Sequence, residues 1–130
     1  MAGFSDYLED KVLDHVFGGT AYTAPTTHYV ALYTVAPTDT GGGTEVTGGA
    51  YARQTSTFNV SGTSPTTATN AAAVEYPTAT ADYGTVVAVG IVDALTSGNL
   101  LAYANLDTSK PVTSGDVFRF DAGDLDITLA

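Results

Sequence analysis

The sequence predicts a mainly antiparallel β-sandwich, of the jelly-roll or immunoglobulin-like type, with one short α-helix at its N-terminus. Threonine, whose branched Cβ favours extended backbone, occurs 22 times. Residues 84–130 contain short apolar segments at 85–93, 100–106, 117–120 and 125–129, which turn residues separate. In the last segment, Leu125, Ile127 and Leu129 alternate with polar residues. This alternation is typical of a strand with one face in solvent.

The chain is predicted to be a single domain, 1–130, with a helix at 5–17 and the sandwich at 28–130. Apolar residues recur at four-residue spacing along the helix, from Phe4 through Leu8 to Val12 and Val16. Ser5 or Asp6 can cap its start, and the glycines at 18–19 end it. We expect the apolar stripe to cover the protein's own sheet. A neighbouring subunit is the alternative.

Residues 28–35 are predicted to form a central strand with two apolar faces. Val30 and Leu32 lie on one face, and Tyr29, Ala31 and Tyr33 on the other. Residues 50–60 and 71–76 are predicted to be further strands. Residues 39–49, which contain five glycines, and residues 61–70 are predicted to be exposed loops.

The composition argues against several classes of function. Fourteen acids against four Lys and Arg residues give a net charge of −10, which disfavours binding to nucleic acid or to a membrane surface. The chain has no cysteine, and therefore no disulfide or thiolate site. The N-terminus lacks the pattern of a signal peptide, and no apolar run reaches the roughly 20 residues of a membrane helix.

The sequence gives no indication of catalysis. His15 and His28 are the only histidines, and no nucleophile or metalloprotease motif accompanies them. We therefore expect no enzymatic activity and no cofactor. Asp121, Asp124 and Asp126 are weak candidates for calcium ligands. Their spacing does not match an EF-hand loop, so no metal site is predicted.

Taken in order, six segments resemble a family of small virion proteins of tailed bacteriophages, whose members often carry the label phage tail fibre protein. The segments are 4–19, 22–34, 43–54, 83–94, 97–106 and 114–129. The resemblance thus extends over nearly the whole chain. It implies a non-enzymatic virion structural protein, assembled in the host cytoplasm, whose partners are other phage structural proteins.

Within that family, we expect a capsid decoration or cement protein that binds the major capsid protein lattice and stabilises the head. The chain has no heptads, repeats or shaft segment, which argues against a fibre. A structural protein of the tail or tail fibre, bound to tail proteins, is the alternative, and a glycan-binding surface module is a further one. The capsid reading also implies a homo-oligomer, and the symmetry of capsid junctions favours a trimer.

The candidate contact residues for docking lie on the helix, in the Gly-rich loop and at two of the four cations. They are Tyr7, Leu8, Lys11, Asp39, Gly41, Gly42, Gly43, Glu45, Arg53 and Arg119.

Overall fold

The structure, a computed structural model, describes residues 3–129 and confirms the all-β class with a short N-terminal helix. Every strand pairing in it is antiparallel. The elements are β1 (Gly3–Phe4), α1 (Asp6–Leu13), β2 (His28–Val35), β3 (Thr44–Glu45), β4 (Gln54–Ser56), β5 (Phe58–Ser61), β6 (Thr66–Asn70), β7 (Val74–Glu75), β8 (Gly84–Val92), β9 (Leu100–Val112), β10 (Arg119–Phe120) and β11 (Asp126–Leu129).

The strands form one large sheet and two small ones. The six-stranded sheet has the order β1-β9-β8-β2-β3, and β4 also pairs with β2. The small sheets are β10-β7 and β11-β6-β5. Strand β2 pairs with β8 on one side and with β3 and β4 on the other, so the prediction of a central strand is confirmed.

The main core lies on one face of the large sheet, where the β7–β10 ribbon and its connections cover it. Val30 and Leu32 of β2 and Val89 of β8 belong to this core, with Val74 of β7 and Phe120 of β10. The other face of the large sheet carries a smaller cluster of Ala31, Tyr33, Ala88 and Val92. Both apolar faces predicted for β2 are therefore buried, as its alternation requires.

A row of aromatic rings runs through the main core. Tyr51 stacks on Tyr76 with ring centroids 5.9 Å apart, and Tyr83 meets Tyr51 edge-on at 5.8 Å. Phe118 continues the row from Tyr76 and contacts Phe120 at 5.0 Å. These stacked and edge-to-face contacts hold the two layers together.

The C-terminal block does not form one sheet, although the sequence suggests four neighbouring strands there. Strands β8 and β9 pair in the large sheet, but β10 pairs with β7 and β11 pairs with β6. The physical reason is that the apolar face of the large sheet needs a cover. The chain after β9 crosses over that face, and Phe118 and Phe120 fill the core beneath it.

Two predicted loops contain strands, so these predictions are wrong in part. Residues 66–70 form β6, the middle strand of the three-stranded sheet, where backbone pairing on both sides replaces large apolar side chains. In the Gly-rich segment, Thr44 and Glu45 form β3, and Val46 is buried and donates its N–H to the Leu32 carbonyl at 3.0 Å.

The helical region differs from the single helix predicted at 5–17. Helix α1 ends at Leu13, and a π-helical turn, Asp14–Gly18, follows it. Gly19 then takes a left-handed conformation at φ 76°, which terminates the helix as the two glycines predict. No helix within residues 3–129 has the length and apolar content to cross a membrane.

Candidate docking surface

Helix α1 is fixed to the large sheet at its first residues. Ser5 is buried, and its hydroxyl caps the helix by accepting the Leu8 N–H at 3.2 Å. The same hydroxyl donates to the Leu100 carbonyl, and the Ser5 N–H donates to the Leu101 carbonyl at 2.8 Å. Of the two predicted caps, Ser5 is the one used. The start of the helix is thereby bonded to β9.

The helix divides into an inward and an outward face. Tyr7 and Leu8 are half-buried and pack against the main core. Lys11 is also half-buried, and its Nζ lies 5.6 Å from the centre of the Tyr7 ring, a cation–π contact. These three candidate contact residues therefore stabilise the helix on its own sheet. The expectation that the helix covers its own core holds for this half of its stripe.

The outward face carries acids first and apolar side chains after them. Residues 6, 9, 10 and 13 follow the helical spacing i, i+3, i+4, i+7 along α1, and residues 16 and 17 follow in the π-helical turn; all six are exposed. Phe17 is 82% exposed, Val16 60% and Leu13 59%. We call Leu13, Val16 and Phe17 the apolar ridge, and Asp6, Glu9 and Asp10 the acidic half of the same face. The expectation that Val16 packs on the protein's own sheet is wrong.

The Gly-rich loop is bonded to this helix through Asp39. The Asp39 carbonyl accepts the Asp6 N–H at 2.8 Å, and its carboxylate accepts the Tyr103 hydroxyl. That hydrogen bond raises the pKa of Tyr103. Gly41 closes a small turn with Thr38, and their backbone groups bond at 2.8 and 2.9 Å. The loop and the helix start thus form one continuous surface.

The three adjacent glycines of this loop have different roles, although all have positive φ. A Cβ at Gly41 or Gly42 would meet nothing within 4 Å. A Cβ at Gly43 would lie 2.6 Å from the Val35 carbonyl oxygen. Gly43 is therefore needed for the close approach of this loop to β2, whereas Gly41 and Gly42 face open space.

Glu45 and Arg53 form an internal ion pair. Two Arg53 nitrogens donate to the two Glu45 carboxylate oxygens at 2.8 and 2.9 Å. The remaining Arg53 nitrogen, Nη1, donates to the carbonyls of Ala94 and Ser97, both at 2.8 Å. Arg53 thus ties β3 to the β8–β9 turn. Both residues, predicted as contacts for a partner, have their charges engaged inside the protein.

The carboxylates around residue 121 are engaged in hydrogen bonds and ion pairs within the protein. Arg119 donates to Asp121 at 2.9 Å and to Glu75 at 3.3 Å. Asp124 accepts the Asp121 N–H, and Asp126 accepts the Thr69 hydroxyl. No group of three or more His, Cys, Asp or Glu side chains between residues 3 and 129 is placed to hold a metal ion. Arg119, a predicted contact, is likewise engaged in ion pairs.

The two histidines take structural positions. His15 accepts the Tyr22 N–H on its Nδ1 at 3.1 Å. The ring of His28 meets Phe58 edge-on, with centroids 5.9 Å apart. Neither is hydrogen-bonded to a serine, threonine or carboxylate among the described residues, so the structure offers no activated nucleophile beside them.

Two important residues, Tyr51 and Asn70, were not singled out from the sequence. Asn70 is buried, and its amide nitrogen donates to the carbonyls of Ala72 and Asp121. Its amide oxygen accepts the N–H groups of Gly123 and Leu125. The Asn70 side chain therefore holds the segment around Ala72 and the segment 121–125 together. The only signal for this role in the sequence is the position of Asn70 at the end of a Thr-rich segment.

These features define an all-β protein with an exposed apolar ridge beside the acidic half of its helix. Residues 3–128 match a family model described as podophage GP4 fiber I protein gp80. The chain belongs to this family, and it is therefore a bacteriophage structural protein and a component of the virion. A search of curated proteins finds no match.

The family match favours one of the alternatives that the sequence left open. The capsid decoration role is not supported over the tail-fibre alternative, because the family is described as a fibre protein. The expectation of a capsid protein rests on the absence of heptads, repeats and a shaft segment from the sequence.

Proposed function

We propose that this protein is a non-enzymatic structural subunit of a podophage tail fibre, or of the tail structure to which the fibre attaches. The observation that carries the proposal is the family match over residues 3–128. A match over almost the entire chain concerns the whole domain and not one shared motif.

The dimensions of the domain favour a joining role over a shaft. The longest strand, β9, has 13 residues and spans roughly 43 Å at about 3.3 Å per residue. The longest α-helix of residues 3–129 has 8 residues. Neither element repeats along the chain. We therefore assign the protein to the connection between a fibre shaft and its neighbours, and not to the shaft itself.

The side-chain chemistry also supports a structural role. Arg53, Arg119 and Asn70 use their polar groups in internal hydrogen bonds between separate segments. Such bonds tie separate segments of the chain together, which suits a structural protein. We propose that neither histidine acts as a catalytic base. Activity toward ester or glycoside substrates that His15→Ala or His28→Ala abolishes would contradict this part of the proposal.

Quantitative mass spectrometry of separated heads and tails tests the location. Virions are disrupted, heads and tails are separated by density, and this protein is quantified against the major capsid protein and a known tail protein. The proposal predicts that it follows the tails, in a small whole-number ratio to the tail protein. Recovery with the heads, in hundreds of copies per particle, would support the decoration role instead.

A further inference from the structure

We infer that the outward face of α1 and of the π-helical turn after it binds a groove on a different virion protein, one with an apolar floor and Lys or Arg side chains beside it. This inference names the partner class and rests on the proposed function. It starts from the exposure of the apolar ridge. Leu13, Val16 and Phe17 are each more than half exposed, and Phe17 reaches 82%.

Single exposed apolar residues are common on protein surfaces, but Leu13, Val16 and Phe17 lie within five consecutive residues, and each is more than half exposed. Clusters of exposed apolar side chains often mark sites of interaction with other proteins. Val12, on the same helix, is also 37% exposed, whereas other large exposed apolar residues, such as Val60 on β5 and Leu129 on β11, lie singly on their elements. The ridge therefore differs from this scattered background, and a groove is the usual receptor for a helix with such a stripe.

The charge pattern selects the chemistry of the groove. Asp6, Glu9 and Asp10 occupy the same face one to two turns before the ridge, and all three are exposed. A partner that covers the ridge must also face these carboxylates. Lys or Arg side chains at that end of the groove would complement them, whereas acidic groups would repel them.

A second copy of this chain is a poor source of such a groove. The chain contains only four cations and has a net charge of −10. Arg53 is bonded to Glu45 and two carbonyls, and Arg119 is paired with Glu75 and Asp121. Lys11 lies over the Tyr7 ring of the same helix, so that among the Lys and Arg residues of 3–129 only Lys110 on β9 has no such contact. One lysine leaves most of the three carboxylates uncomplemented, which favours a different protein as the partner.

A competition experiment during infection tests the ridge. A tagged copy of the protein is expressed from a plasmid while the wild-type phage supplies the untagged one, so particles form in every case. Incorporation of the tag into purified particles is normalised to its level in the lysate. Phe17→Ser and Val16→Ser are expected to reduce incorporation at least tenfold, because central apolar side chains dominate such interfaces. Val60→Ser, a matched exposed position on β5, is expected to incorporate like the tagged wild type.

The charge requirement has its own variant. Reversing Glu9 and Asp10 together to lysine is expected to reduce incorporation at least tenfold, whereas Asp107→Lys on β9 is not. All these positions are exposed, so the purified variants should melt within a few degrees of the wild type. Equal incorporation of the ridge variants and the wild type would overturn the inference. Failure of the tagged wild type itself to enter particles would instead contradict the proposed function.

Carbodiimide cross-linking of intact particles identifies the partner's chemistry, because this reagent couples carboxylates to adjacent lysines. We expect Asp6, Glu9 or Asp10 to link to lysines of another virion protein. Links to Lys110 of a second copy would overturn the choice of partner. Sedimentation of the purified protein provides a second check: a self-associated wild type that Phe17→Ser dissociates would likewise contradict the inference.

Discussion

The Tyr51 hydroxyl donates to a carboxylate oxygen of Glu45 at 2.6 Å while it accepts the backbone N–H of Leu32 at 3.0 Å. Leu32 lies on β2 between the stretches that pair with β3 and with β4. The tyrosine hydroxyl therefore occupies the place that a strand carbonyl would otherwise take. It completes the hydrogen bonding of β2 and orients the carboxylate toward Arg53.

Removing this hydroxyl should destabilise the fold. Tyr51→Phe leaves the N–H of the fully buried Leu32 without a partner, and Glu45 loses one donor. We expect the free energy of unfolding to fall by about 2 kcal/mol, as measured by urea denaturation. Tyr29→Phe is the control. Tyr29 is half-buried and lies on β2, the strand of Leu32, and its substitution should cost less than half as much. Equal costs for the two variants would contradict the role assigned to Tyr51.

Glu45 should make stability depend on pH in the acid range. Burial alone would raise the pKa of Glu45, but the hydrogen bonds from Arg53 and Tyr51 and the Arg53 charge together lower it. A lowered pKa in the folded state means that ionised Glu45 stabilises the fold fully above the ordinary glutamate pKa. This stabilisation is lost as the pH falls through the folded-state value.

The corresponding variant is Glu45→Gln. We expect it to lose about 1–2 kcal/mol at neutral pH, an amount reduced by the partial exposure of the pair. The difference from the wild type should shrink as the pH falls. Urea denaturation at a series of pH values measures this difference in the free energy of unfolding. The exposed variant Asp107→Asn, which also removes one acidic group, shows how much of the difference comes from the change in net charge alone. A difference that stays constant with pH would exclude the ion pair as its cause.

The fold should not tolerate replacement of Asn70 by Asp, although the two side chains have nearly the same volume. Asn70→Asp replaces the amide nitrogen with an oxygen, which would then face the carbonyls of Ala72 and Asp121. Because the site is buried, we expect a loss of about 3 kcal/mol or more in the free energy of unfolding. Asn59→Asp, at an exposed position on β5, is the matched control. Thermal melting of both variants tests this, and similar melting temperatures would show that the Asn70 bonds are dispensable.

Neighbouring glycines of the Gly-rich loop should respond differently to alanine. Gly42 and Gly43 have φ values of 76° and 74°, so alanine is strained at both positions. Only at Gly43 does the new Cβ also collide with the Val35 carbonyl. We expect Gly42→Ala to cost about 1 kcal/mol and Gly43→Ala at least 1 kcal/mol more. Chemical denaturation of the pair tests this, and equal losses would mean that the loop moves away from β2 freely.

The sequence predicted those elements whose pattern is local. The two apolar faces of β2, the cap at Ser5, the helix end at Gly19 and the alternation of Phe118 and Phe120 about Arg119 all follow from short-range spacing. Strand β6 was missed because its residues, Thr66–Asn70, carry no large apolar side chain. Its pairing partners on both sides come from other segments.

The candidate site was harder to predict, because charge alone does not distinguish a contact residue from an internal ion pair. Arg53 and Glu45 lie eight residues apart, and only the folding of β3 beside β2 brings them together. The ridge was missed for a related reason. The four-residue spacing of Val12 and Val16 indicates a buried stripe, but only the first turns of the helix, with Tyr7 and Leu8, pack on the core, and Val12 and Val16 are exposed.

We propose that this protein belongs to the tail fibre apparatus and is bound there through the outward face of its helical region. The most direct test is a difference map between cryo-electron microscopy reconstructions of particles with wild-type protein and particles made without it. The account predicts that the missing density lies at the tail, where the fibres attach, with the outward face of α1 against another protein. Missing density distributed over the head lattice, or an α1 ridge that faces solvent in the assembled particle, would contradict it.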